Sequence, residues 1–500
     1  MFNIFKNNKT IKKVRVRIAP SPTGPMHIGT PRTALYNYLF AKQNGGKFIL
    51  RIEDTDKERS EQRWTDQIIE ELKWLQIEWD EGPDIGGEYG PYKQSQRFDI
   101  YEKYLKQLLK EDKAYYCFCN AEDLEAKRQD QMTRGLAPKY DGTCAHLQHK
   151  TVEKNLAEGK QSVIRFRVAE KKVKFKDLIR GDVEFDTALL GDVVIAKDLG
   201  NPLFHLAVVV DDFEMKITHV IRGEDHISNT PRQILIQEAL GFDKVTYGHL
   251  PLLLDTNRSK LSKRKGNVSL IDYHAKGYLP EAIINFLALL GWNPGTEKEI
   301  FSLSQLLKEF SIEKIQKGGA IFNVQRLDFL NGLYIREKPL DKLTELCKPY
   351  LRGAGLLVEG QVSENKLQKI VEVSRTRMKK LSEISELSDF FFAHKLIFDK
   401  DLMHWKGTDD AATKESLMFS KEILSQIKNW ELKELEREMF AASEKFNLEK
   451  GYPEKNKGYL LWPLRVSLSG KESSPSPFEI ADILGKEKTI ERIEQAIKKL

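Results

Sequence analysis

The stretch from Val14 to Asp56 constrains the fold more than any other part of the chain. Val14–Ala19 alternates Val, Arg, Val, Arg, Ile and predicts a strand. A loop dense in Pro and Gly, PSPTGPMHIGT, follows it. Thr30 offers an N-cap hydroxyl and Pro31 suits a first helical position. Leu35, Tyr38 and Leu39 keep helical spacing until Asn44-Gly45-Gly46 stops the run. Lys47–Ile52 is β-rich again and ends in Glu53-Asp54-Thr55-Asp56. A strand–helix–strand unit of this kind needs a parallel sheet with helices on its faces. The expected class is therefore α/β, a doubly wound Rossmann-type sheet.

The loop contains more than a connection requires. A helix N-terminus behind a strand presents unpaired N–H groups and a positive dipole end, which suit phosphate. Gly29 has no Cβ, so a flat ligand can lie on the backbone there. His27, just before it, can donate to a phosphate oxygen. Taken alone, His27-Ile28-Gly29 is better read as a rigid loop with a surface histidine, because three-residue motifs recur by chance.

At 500 residues the chain exceeds one hydrophobic core, and about three domains or more are expected. The helical spacing of Trp64, Ile68, Ile69, Leu72 and Leu75 predicts a helix over 62–77. From about Tyr92 the texture changes. A helix through Phe98, Tyr101, Leu105 and Leu108 leads to a Cys-containing segment and the β-like runs SVIRFRV and GDVVIAKD. HLAVVV and ITHVIRGED then read as buried parallel strands, so residues 92–205 are expected to be an inserted α+β domain. The sheet domain is accordingly split over 1–91 and 206–255. LPEAIINFLALLGW opens a helical region within 256–339. Residues 340–399 and 400–500 are expected to be all-α, WPLRVSLSG excepted.

No apolar run reaches the ~18 residues that span a bilayer; the longest, Ala282–Leu290, contains Asn285. The N-terminus carries six basic and no acidic residues up to Arg17, without an apolar core or cleavage site, so a secretory signal is excluded. A short organelle presequence is the alternative; cytoplasm is the expectation. The net charge of +6 permits a polyanionic partner without requiring one. Four cysteines make no disulfide framework.

Two further clusters carry chemistry. In RSKLSKRKGN, the cations Arg258, Lys260, Lys263, Arg264 and Lys265 fall within nine residues. Such a loop can neutralise charge on a triphosphate, or can simply be solvated or touch RNA. Cys117-x-Cys119 and Cys144-x-His146 are separated by twenty-four residues. Thiolates and an imidazole suit a closed tetrahedral Zn²⁺ site. Buried reduced thiols are the alternative, and Tyr140 or His149 are substitutes for a ligand. Cys347 reads as a helix core residue.

His27-Ile28-Gly29-Thr30 and Lys260-Leu261-Ser262-Lys263-Arg264 together resemble the HIGH-type and KMSKS-type signatures of class I aminoacyl-tRNA synthetases. The stretches RIAPSPTG, GGKFILRIEDTD, WLQIEWDEGP, GPYKQSQR, VIRGEDHISNTPRQIL and GYLPEAIINFLALLGW narrow the resemblance to the bacterial-type glutamyl-tRNA synthetases. It runs over almost the whole chain. It implies ligation of L-glutamate to its tRNA through a glutamyl-adenylate, with ATP and Mg²⁺. It assigns His27, Gly29, Lys260 and Lys263 to catalysis, and these with Asp225, Leu253 and Ser262 to ATP. Glutamate has two carboxylates and an ammonium, so its site needs cations and an anion. Arg17 and Arg222 are the cations, guanidinium forks suiting carboxylates better than Lys. Glu53 and Ser21 are expected at the ammonium, with Ala19 and Phe204 beside them. Many relatives have Tyr where this chain has Phe204, and Glu53 alternatively caps the next helix or binds magnesium.

The resemblance makes 92–205 the domain that binds the tRNA acceptor, 256–339 the segment contacting the tRNA stem, and the helical third the anticodon reader. Arg377, in the basic run Arg375, Arg377, Lys379, Lys380, matches a position that reads the third anticodon base in some relatives; a solvated basic helix is the plainer reading. A monomer is expected, with the tRNA for glutamate, or that for glutamine as well, as partner. A tRNA-base-modifying paralogue would lack the helical third and the full KLSKR loop. A tRNA-binding protein without catalysis would have lost one of His27, Gly29, Lys260 or Lys263, and all four stand.

Overall fold

The computed structural model describes residues 13–261, 269–358 and 360–500. The chain divides into two compact units, Met1–Ala275 with Pro280–Leu327, and Lys276–Leu279 with Asp328–Leu500. The divide falls inside the segment 256–339.

In the first unit, β1 (Arg15–Ile18), α1 (Gly29–Gln43) and β2 (Lys47–Leu50) form the expected crossover, with β1 and β2 parallel and Arg17 opposite Ile49. The helix begins earlier than the capping pattern predicts. Ile28 is its N-cap, and Thr30 stands within the first turn. The His27 imidazole does the capping, its Nδ1 accepting from the Gly29 N–H at 3.1 Å. Pro31 falls at the third helical position, where first-turn N–H groups lack intrahelical partners. The next helix, α2 (Gln62–Trp74), stops three residues short of the expected end.

After α3 (Phe98–Lys110), a three-stranded antiparallel sheet is built from β3 (Ala114–Cys117), β4 (Val163–Phe166) and, after the hairpin below, β7 (Val193–Ala196). The helices α4 (Ala121–Thr133) and α5 (His149–Ala157) lie between β3 and β4 in sequence. The antiparallel hairpin of β5 (Lys172–Asp177) and β6 (Gly181–Asp186) joins a different sheet. Its strand β5 pairs with β9 (Thr246–Leu250), which pairs in parallel with β8 (His219–Gly223). The span 92–205 thus contains a hairpin that belongs to the parallel sheet. Beside β8 lies β1, the Thr218 N–H donating to the Arg15 carbonyl at 2.9 Å.

HLAVVV is not a strand. It lies in α6 (Phe204–Glu214), where Leu206–Val210 are all buried. The reason is the pair that follows, Asp211-Asp212. Successive strand residues point to opposite faces, whereas successive helical residues stay within about 100°. Only the helix lets both carboxylates reach one group of arginines. Asp211 accepts from Arg97 Nε (2.7 Å), Gln94 Nε2 (2.8 Å) and Tyr101 Oη (2.9 Å). Asp212 accepts from Arg51 Nη1 (2.8 Å) and Arg17 Nε (3.0 Å).

The second unit is helical around an apolar core that includes Leu417, Leu435, Met439 and Leu464. Cys347 is buried in the helix Leu340–Gly353, as expected. WPLRVSLSG is helical too, within Gly458–Ser469, despite Pro463. The Ser467 and Ser469 hydroxyls donate back to the Leu464 and Arg465 carbonyls. Among the described residues no helix is long and apolar enough to cross a membrane.

Glu81 anchors the edge of the sheet. It accepts both terminal nitrogens of Arg15 (2.8 and 2.9 Å) and Lys47 Nζ (2.9 Å). Burial pushes its carboxyl up, but Arg15, Tyr92 and Lys47 outweigh that and bring it down from 4.5 to about 2. A carboxylate depressed on folding contributes stability above its unfolded value and loses it as pH falls through the folded one. Urea unfolding of the wild type should therefore weaken between about pH 4.5 and 2. The Glu81→Gln variant, less stable at pH 7, should show a flatter decline there.

Candidate active site

A cavity of about 290 Å³ opens where the chain leaves the carboxyl ends of β1, β8 and β9. In parallel α/β sheets this edge is the ligand edge. Of the residues singled out from sequence, Arg17, Ala19, His27, Gly29, Glu53, Phe204, Arg222, Asp225, Leu253 and Lys260 all line it. Ser21 is exposed and is not among the lining residues. Ser262 and Lys263 lie outside the described residues.

The two arginines differ in charge balance. Arg17 is neutralised by Asp212, which also holds Arg51, and Arg51 reaches Glu53 Oε1 at 3.1 Å. Burial pushes Asp212 up, yet Arg17 and Arg51 outweigh it and leave the carboxyl below its usual range. Glu53 is the reverse case: burial dominates and raises it above the ordinary glutamate value. Arg222 is 7% exposed and, among the described residues, has no carboxylate within ion-pair distance. Burial brings its guanidinium down to about 10, still protonated at neutral pH. A buried cation without a counter-ion is costly. Its presence here suits an anionic ligand.

At the other end, His27 Nδ1 is occupied as the acceptor for the Gly29 N–H. A neutral imidazole then carries its proton on Nε2, which becomes a donor. A Cβ on Gly29 would stand 3.2 Å from His27 Nδ1 and 3.7 Å from Leu253 Cδ1, so the glycine keeps the gap between them open. Leu261 N–H donates to the Leu253 carbonyl at 2.9 Å, folding the chain back and bringing exposed Lys260 to the cavity. Asp225 is placed by Gly223, where a Cβ would come within 2.3 Å of Asp225 Oδ1. Phe204 packs against the His226 ring, centroids 5.7 Å apart.

Two titratable lining residues, Arg32 and His226, are not among the sequence-derived candidates. Arg32 is buried on α1, its guanidinium donating to the Pro251 carbonyl at 2.6 Å and the Leu290 carbonyl at 3.2 Å. It too has only neutral partners among the described residues. A buried face position in a helix gives no hint that a cation occupies it for a ligand. His226 follows Asp225 in the quoted GEDH and was passed over for its neighbour.

Elsewhere in the first unit, the Sγ atoms of Cys117, Cys119 and Cys144 lie within 4.8 Å of one another. His146 is exposed and not part of this group. The Tyr140 hydroxyl is: it lies 3.3 Å from Cys117 Sγ and 3.5 Å from Cys119 Sγ. The Phe118 N–H donates to Cys144 Sγ at 3.4 Å, and the Arg165 guanidinium sits 3.8 Å from the Tyr140 ring centre. Three thiols, a phenol, an N–H aimed at sulfur and a nearby cation fit a closed metal site. In the second unit, Arg377 donates to the Ser473 hydroxyl.

A parallel sheet carrying His-Ile-Gly-Thr at a helix start, with Lys260 of the KLSKR motif on the same cavity, defines a class I aminoacyl-tRNA synthetase. Residues 13–329 match the family of class I tRNA synthetases (E and Q), catalytic domain. Residues 342–497 match the anticodon binding domain family. A glutamate–tRNA ligase of Carboxydothermus hydrogenoformans is 45% identical over 96% of this chain and 99% of its own length. That of Desulforamulus reducens is 42% identical over 97% and 100%. A solved glutamate tRNA ligase of Elizabethkingia meningosepticum, in complex with its amino acid, superposes with a TM-score of 0.85 at 36% identity, covering 98% of this chain and 100% of its own. The chain belongs to the glutamate–tRNA ligase family.

Since Arg222 is buried without a counter-ion among the described residues, Arg222→Met should stabilise the free protein while destroying the site. A gain of about 1 kcal/mol, or a Tm rise of about 2 °C for a chain of this size, is expected. Differential scanning calorimetry of the variant without ligands, beside its loss of aminoacylation, checks this.

Proposed function

We propose that this chain ligates L-glutamate to its tRNA in two steps, at the cavity on the carboxyl edge of the sheet. The observation that carries the reading is Arg222. It is a buried guanidinium, without a counter-ion among the described residues, in the same cavity as the His27–Gly29 helix start and Lys260. Arg222 and Arg17 meet the carboxylates of glutamate, and Glu53 meets its ammonium. The triphosphate lies along His27 and Gly29, with Asp225 at the ribose and Leu253 at the base.

The glutamate α-carboxylate attacks the α-phosphorus of ATP. The new O–P bond replaces the bond to pyrophosphate, which leaves. His27 Nε2–H and Lys260, with Ser262 and Lys263 from the loop, neutralise the charge that builds on the phosphates. Mg²⁺ bound to the triphosphate would supply further screening of this charge. The 2′-hydroxyl of the terminal adenosine of tRNA then takes the acyl group and AMP leaves. No protein nucleophile is needed; positioning and charge neutralisation carry both steps. Residues 92–205 bind the acceptor end of the tRNA, 256–339 contact its stem, and the subdomains 340–399 and 400–500 read the anticodon, with Arg377 at its third base. The enzyme acts as a monomer.

Aminoacylation with radiolabelled glutamate and glutamine on the purified tRNAs for both amino acids tests this. Glutamate should be transferred to the tRNA for glutamate, and glutamine to neither. The second tRNA reads whether glutamate is also placed on the glutamine acceptor. Transfer of no glutamate to either tRNA ends the proposal. A Lys263→Ala variant should slow adenylate formation by about a hundredfold or more while tRNA binding holds.

Zn²⁺ fits Cys117, Cys119 and Cys144, with the Tyr140 hydroxyl as the fourth donor in place of His146. When bound it would be structural, closing the insert's small core. Elemental analysis of the purified enzyme should find zinc at about one equivalent. Cys144→Ser should lose it and Tyr140→Phe should hold it more weakly against a chelator. His146→Ala should keep it.

A further inference from the structure

Arg222 is held in place by neutral groups, and this has a cause one shell behind it. Its Nε faces His249 Nε2 at 3.3 Å, and a terminal nitrogen donates to Thr230 Oγ1 at 2.8 Å and to the His226 carbonyl at 3.5 Å. Thr230 Oγ1 also lies 3.0 Å from His249 Nε2. The Thr230 hydroxyl can donate to the His226 carbonyl (3.3 Å), but the Arg222 Nε–H can only donate, so Nε2 must accept. That requires a neutral His249 with its proton on Nδ1.

Asp177 sets this tautomer. Its Oδ1 accepts the backbone N–H groups of Ile179 (2.9 Å), Arg180 (2.8 Å) and His249 (3.2 Å). Its Oδ2 lies 2.6 Å from His249 Nδ1. Both side chains are 0% exposed. Asp177 ends β5, the hairpin strand paired with β9, and His249 is on β9 itself. The hairpin that leaves the insert for the parallel sheet thus brings in the carboxylate that orders this relay.

We propose that Asp177 and His249 are positioning residues for glutamate. They orient Arg222 through a neutral acceptor, so that its charge stays uncompensated until a substrate carboxylate arrives. The contrast is Arg17, which Asp212 orients and neutralises at once. This inference rests on the reading of the cavity as the glutamate site.

Asp177→Asn is the sharpest test. Its amide oxygen must stay against the three N–H groups, so its NH₂ faces His249 Nδ1. The imidazole proton then moves to Nε2 and meets the Arg222 N–H head-on. The KM for glutamate in aminoacylation should rise roughly tenfold or more, while the KM values for ATP and tRNA stay within about twofold. His249→Gln, which restores an accepting oxygen, should retain more glutamate affinity than His249→Phe. In protein labelled with ¹⁵N-histidine, the His249 signals should exchange from the Nδ1–H to the Nε2–H pattern in Asp177→Asn. Parallel rises in all three KM values, or equal effects of the Gln and Phe variants, overturn the inference. Unchanged glutamate KM in Asp177→Asn, beside a wild type that charges tRNA normally, overturns it alone. A wild type that charges no tRNA overturns the functional reading with it.

Discussion

Two adjacent carboxylates, Asp211 and Asp212, lie buried at the end of α6 and must be matched by buried guanidinium groups. Arg97 answers the first, Arg17 answers the second, and Arg51 lies between them. Those arginines come from β1, from the turn after β2 and from the turn before α3. The pairing therefore joins segments up to 195 residues apart in sequence beneath one cavity. Removing a single member would leave an unpaired charge in the interior, which costs about 3–5 kcal/mol. One wall of the cavity rests on this network, because Arg17 and Glu53 line it and are the network's two outer members.

On that base the site is electrically uneven. Arg17, Arg51 and Arg97 are compensated by Asp212, Glu53 and Asp211. Arg222 and Arg32 are held by imidazole, hydroxyl and backbone carbonyl oxygens instead. A scaffold that needed only stability would place carboxylates there. Leaving the charge open costs folding energy and gains affinity for anions, the usual exchange at a binding site. The resulting field favours an anionic ligand.

Much of the site could be read in advance because its residues carry their chemistry in short motifs. His27, Gly29, Asp225 and Lys260 stand in short motifs at the ends of strands and helices, where the composition is unusual for mere connection, and all line the cavity. What escaped lay where propensity and environment conflict. HLAVVV is β-branched and apolar, so it reads as a buried strand. It is a helix because Asp211 and Asp212 must face the same way. Thr30 has the right hydroxyl for a cap, but the His27 imidazole reaches the helix start first. His146 has the expected metal-ligand spacing after Cys144, yet it is exposed while Tyr140 reaches the sulfurs. Spacing along a chain counts bonds and does not say which way a side chain turns.

The sequence by itself determined the parallel α/β class, the helical second unit and the cast of polar residues at the cavity, since these follow from periodicity, turn chemistry and local motifs. Only the tertiary structure decided how each cation is balanced. Arg17 and Arg222 look alike in sequence, each an arginine in a β-strand that leads into the site. One meets Asp212 and the other meets His249, whose tautomer is set by Asp177 from a hairpin 72 residues earlier. A charge is compensated by what lies within a few ångströms of it, and folding alone sets those neighbours.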